Sequence, residues 1–144
     1  MGRMNGMRVF MGGLVAGAFI FFANFLLHGL LLSADWKSAM TALGRPSTSE
    51  NMGSSMALFA CQALVVGFSA AWLYASIRPR YGAGAGTAAR GGLWVWAMAS
   101  LGPTFVNQAM GLLPSKLIVV PLVGDLIIIL LASEIAGAIY REAA

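Results

Sequence analysis

Charge is scarce in this sequence. Only 10% of its 144 residues are Asp, Glu, Lys or Arg, against about 25% in a soluble domain. That is too little to coat the water-facing surface of a chain that is 59% hydrophobic. A single cysteine, Cys61, excludes an internal disulfide and a thiolate metal cluster. Inside an apolar run it reads as a small packing residue. A single histidine, His28, excludes a multi-histidine metal site within one chain. No Ser–His–acid spacing and no metalloprotease helix motif are present, so nothing in the chain points to an enzyme. Short alternating segments are missing too, which excludes an outer-membrane barrel.

What the chain does have is four long apolar runs, over 9–32, 56–77, 93–113 and 117–140. Runs of about 20 apolar residues are the signature of spanning helices. The expectation is therefore an all-α integral membrane protein: one membrane domain, an antiparallel four-helix transmembrane bundle. Arg3 and Arg8 before the first run resemble the charged region of a secretory signal. A signal's apolar region is about 7–15 residues, however, so a retained span is expected rather than cleavage near Ser33. Gly13 and Gly17 in this span form a small-xxx-small pattern that lets helix backbones approach.

After the first span, residues 34–43 place Trp36, Met40 and Leu43 at i, i+4, i+7. This predicts a short amphipathic helix in the headgroup region, with Trp36 as its anchor. The polar, turn-rich stretch over 44–55 predicts a loop. Trp72 and Tyr74 stand where an aromatic belt would end the second span at Arg78-Pro79-Arg80, and Trp94 and Trp96 open the third. The intervening Gly82, Gly84 and Gly86 follow no strand and precede no phosphate-binding lysine, so they read as a connector. Pro103 predicts a kink. The short turn at Leu113-Pro114-Ser115-Lys116 makes the third and fourth spans antiparallel neighbours.

The net charge of +4 sits in the caps between spans. It suits anionic headgroups rather than nucleic acid, so the lipid bilayer is the expected partner. Arg3, Arg8, Arg78, Arg80, Arg90 and Arg141 fall on one side, and Lys37, Arg45 and Lys116 on the other. The positive-inside rule then puts both termini in the cytoplasm. Gly12-Gly13-Leu14 and Gly91-Gly92-Leu93 open the first and third spans alike, a faint sign of a duplicated hairpin.

The last run carries two carboxylates, Asp125 and Glu134. A charge at the centre of a bilayer costs about 2.5–3.5 kcal/mol on insertion scales, so Asp125 needs partners. At 1.5 Å per residue, Asn24, His28, Gln62, Asn107, Gln108 and Asp125 all lie roughly 6–12 Å below the outer ends of their spans. A polar cluster of these six residues inside the bundle is expected, as structural glue or as a small ligand or proton site. Glu134, nine residues on, points to the opposite face and is the candidate partner contact. Arg141 shares its face.

Three classes of function follow. One is a non-enzymatic membrane protein packing as a homo-oligomer or as an accessory subunit of a larger complex. Another is a small proton-coupled transporter using Asp125 and Glu134. The third is a haem or chlorophyll-type pigment binder through His28. The first is preferred, with no cofactor. The stretch Asn24-Phe25-Leu26-Leu27-His28-Gly29, the Trp36 helix and the Tyr74…Arg78-Pro79-Arg80 exit resemble a widespread family of small bacterial four-span proteins without an assigned activity. That resemblance covers most of the chain and implies the fold and a bacterial inner membrane. It implies no mechanism.

Overall fold

The computed structural model describes residues 4–45 and 52–142, and no strand occurs among them. Arg3 and the part of the predicted loop over 46–51 lie outside the described residues. Helix α1 is Gly6–Asn24; the Asn5 side chain caps it by accepting from the Arg8 N–H at 3.2 Å. It runs on as a π-helical segment, Phe25–Leu31. Helix α2 is Ser33–Ala42, α3 Met52–Tyr81 and α4 Ala85–Trp96. A second π segment, Ala97–Leu101, joins α4 to α5, Gly102–Met110, and α6 is Lys116–Ile139.

Among the described residues, three helices are long and apolar enough to cross a membrane: Gly6–Leu31, Gly53–Tyr81 and Lys116–Ile139, with mean hydropathies of 2.1, 1.8 and 2.3. The third apolar run departs from expectation. It is no single helix over 93–113 but three pieces beginning at Ala85 and ending at Met110. Pro103 lacks an N–H and cannot close the helical ladder. The backbone ahead of it widens, and the Gly102 N–H reaches the Ala97 carbonyl five residues back. The kink expected at Pro103 thus takes the form of a π segment. Gly111, at φ +63°, ends the helix in the left-handed conformation.

Other boundaries shift as well. Helix α3 continues through Pro79 to Tyr81, and its start takes in residues assigned to the loop. Gly82 and Gly84, at φ +83° and +128°, make the turn, whereas Gly86 is already helical. On α2 the buried stripe runs from Leu32 through Trp36 to Ala39 and packs on Leu117, while Leu43 is exposed. Trp72 is exposed, as a belt residue would be, but Tyr74 is buried.

Small residues bring the helices together. A Cβ on Gly67 of α3 would meet the Gly13 carbonyl and the Gly17 Cα of α1 at 2.6 Å. Gly12 faces the Ala136 backbone of α6, and Gly92 of α4 faces the Ser133 side chain. The core is rich in alanine: Ala16, Ala70, Ala132 and Ala136 are fully covered. Large apolar side chains such as Phe22, Leu58, Phe59 and Met98 are exposed instead. This is the reverse of a water-soluble core, and close approach at small residues is a mode of packing that membrane helices favour. Helix α1 packs on α3 and α6, and α4 packs on α6 and α3.

At one end the Tyr74 and Tyr140 rings meet edge-on with centroids 5.9 Å apart. The Asn5 N–H donates to the Tyr140 hydroxyl and the Gly84 N–H to that of Tyr74, both at 3.3 Å. Arg78 lies over the Tyr140 ring and pairs with Glu142 at 3.8 Å. Both ends of the described chain therefore meet at one end of the molecule.

Candidate functional site

The polar site is built where both π segments and α6 converge. Leu27 of the first π segment rests on Gly124, which has no side chain to hold it off. Its neighbour His28 is thereby set beside Asp125 on the lining of a cavity of about 200 Å³. The second π segment contributes Ser100, and α5 contributes Pro103, Thr104 and Asn107 to the same lining. Trp36 of α2 closes one side.

Hydrogen bonds fix the geometry. The Ser100 hydroxyl donates to Asp125 Oδ2 at 2.8 Å. The Thr104 hydroxyl donates to the Ser100 carbonyl at 2.8 Å. The Trp36 indole N–H donates to His28 Nδ1 at 3.0 Å. At the rim, Lys116 Nζ pairs with Asp35 at 2.7 Å, tying α2 to the start of α6. Neither Lys nor Arg lines the cavity, so Asp125 has no cationic side chain to balance it there.

The site differs from the six-residue cluster expected from depth. His28, Asn107 and Asp125 share the cavity. Gln62 and Gln108 are exposed and absent from the lining. Asn24 is half-buried just outside it, with its Oδ1 buried and unpartnered among the described residues. Depth sets a level along the bundle but not a direction around each helix. On α3 the packing face runs through Ala63, Val66 and Ala70, and Gln62 lies beside it. Ser100, Thr104 and Trp36 complete the site instead. The first two form a polar i, i+4 pair on the third apolar run.

Glu134 is half-buried next to the fully covered Ser133 and has no hydrogen bond or ion pair among the described residues. Arg141 is exposed and does not meet it. Trp96, expected near the interface, turns inward and donates its N–H to the Leu122 carbonyl at 3.0 Å.

The geometry also bears on metal and cofactor chemistry. No group of three or more His, Cys, Asp or Glu that could hold a metal occurs among the described residues. Because His28 Nδ1 accepts a hydrogen bond from the Trp36 N–H, a neutral ring carries its own proton on Nε2. Axial ligation through Nε2 needs the opposite tautomer. The cavity of about 200 Å³ is also smaller than the roughly 300–1,000 Å³ of pockets that take drug-sized ligands. Comparisons with protein families, with curated proteins and with solved structures find no match for this chain.

Proposed function

We propose that this chain is a four-crossing integral membrane protein of the bacterial inner membrane, with both termini cytoplasmic, acting as a small proton-coupled carrier. The helical run from Ala85 to Met110 would be the fourth crossing of an antiparallel bundle. The observation that carries the proposal is Asp125: a carboxylate in the middle of a 24-residue apolar helix, lining a cavity and held by one hydroxyl. A carboxylate so placed takes up a proton or a counter-ion to offset its desolvation. The two π-helical interruptions support the proposal, because a locally widened helix re-aims the side chains it carries. Both interruptions contribute to the cavity, and π segments gather at functional sites. The alike openings of the first and third runs are consistent with a carrier built from repeats.

The test is proton flux. Full-length protein is reconstituted in liposomes holding a pH-sensitive dye, and an inward driving force is set by a potassium gradient with valinomycin. Wild type is expected to acidify the lumen faster than empty liposomes, and Asp125→Asn to remove the difference. Equal rates for wild type and Asp125→Asn, or for wild type and empty liposomes, would overturn the proposal.

A second role rests on Glu134, a half-buried carboxylate without a partner among the described residues. It suits a contact with a second copy or with another membrane subunit. Native mass spectrometry in mild detergent is expected to show a dimer or larger complex that Glu134→Ala weakens; monomers alone would refute it.

A further inference from the structure

The donors around Asp125 identify what the cavity holds. The Ser100 hydroxyl proton is committed to Asp125 and the Thr104 hydroxyl proton to the Ser100 carbonyl. Each hydroxyl therefore offers any ligand only its oxygen lone pairs. Pro121, which also lines the cavity, has no N–H to give to the carbonyl of Leu117 four residues back, another residue of the lining. The Asn107 amide stands at the exposed rim. The site is thus rich in oxygen acceptors, with a single carboxylate and no cationic side chain. Hard cations take such oxygens, and unwound segments of membrane helices supply them for sodium. One carboxylate matches one positive charge. The volume of about 200 Å³ leaves room for an ion with part of its water shell, since a water occupies about 30 Å³.

We propose that the cavity bordered by Asp125, Ser100, Thr104 and Leu117 is a binding site for a monovalent alkali cation, sodium in particular. This rests on the carrier proposal, for which sodium is then a second coupling ion competing with the proton for Asp125. Binding needs the ionised carboxylate, so bound sodium and bound proton exclude each other there. His28 on the first π segment is the titratable group facing Asp125. Lys116 and Asp35 neutralise each other at the rim.

The experiment is thermal unfolding of the full chain in mild detergent, titrated with sodium chloride against choline chloride at constant ionic strength. Sodium is expected to raise the melting temperature saturably and choline to leave it unchanged. Asp125→Asn should abolish the sodium effect, and Ser100→Ala should weaken apparent affinity by about tenfold, the equivalent of one ligand contact. Thr104→Val, which keeps the side-chain shape, serves if Asp125→Asn fails to fold, and should weaken sodium similarly. Equal curves in sodium and choline for wild type would overturn the sodium site, as would a sodium effect that survives both Asp125→Asn and Thr104→Val. The two proposals fail separately. Asp125-dependent proton flux in sodium-free liposomes, with no sodium effect on melting, removes the cation and keeps the carrier. Sodium binding without proton flux does the reverse.

Discussion

Replacing Gly67 by alanine puts two effects in opposition. Alanine gains about 1 kcal/mol over glycine in a helix interior from backbone entropy alone. Against this, the added Cβ would stand 2.6 Å from both the Gly13 carbonyl and the Gly17 Cα. Ordinary carbon contacts lie at about 3.5–4.0 Å, so α1 and α3 must part by about 1 Å. Both obstacles are backbone, which no rotamer change can move aside. A gap of that size forfeits a quarter to a half of each dispersion contact across the seam, and overpacking of this kind costs about 1–3 kcal/mol. With the cost at the upper end, the expected net loss is about 2 kcal/mol. Gly53→Ala is the control, since a Cβ there meets nothing within 4 Å; it should be neutral or stabilising by up to about 1 kcal/mol. Thermal unfolding followed by circular dichroism in one detergent compares the two. If Gly67→Ala melts as high as wild type, the close seam between α1 and α3 is refuted.

Ser133 is 1% exposed and its hydroxyl has no partner among the described residues. Ser133→Ala is therefore expected to stabilise by about 1 kcal/mol, and a lower melting temperature would mean that the hydroxyl is bonded after all. Trp36→Phe keeps the ring but removes the donor to His28, leaving Nδ1 unpaired at a cost of about 1–2 kcal/mol. A double-mutant cycle with His28→Ala should return a coupling of about 0.5 kcal/mol or more, and additive losses would refute the bond.

The elements most legible in the sequence were those carried by composition. Runs 9–32, 56–77 and 117–140 reappear to within a residue as parts of the helical stretches 6–31, 52–81 and 116–139, and Gly13 and Gly17 do lie at a close crossing. The break in the third run was signalled by Pro103, but its form was not, since a π segment depends on how neighbours repay the lost N–H. At the site, Asp125 and His28 announced themselves as rare polar groups in apolar runs. Gln62 and Gln108 misled because equal depth does not imply a shared direction. Ser100 and Thr104 stand out as a polar i, i+4 pair, but hydroxyls in membrane helices usually bond their own backbone, so the pair alone does not assign them to the site. Residue type and position suit Trp36 as the anchor of an interfacial helix and Tyr74 as a belt residue, and only the fold shows that each has a specific bonding partner.

Each π segment carries a surplus residue relative to the tighter spiral on either side. Excising one amino acid beyond His28 within Phe25–Leu31 lets the segment relax into ordinary winding at about 100° per residue, so the stretch after it keeps its heading while the side chains inside the segment are re-aimed. The imidazole would then turn away from the acid of the last helix while the length and greasiness of the first barely change. For this chain a one-residue deletion there thus re-aims the machinery, and hydropathy alone would not register it.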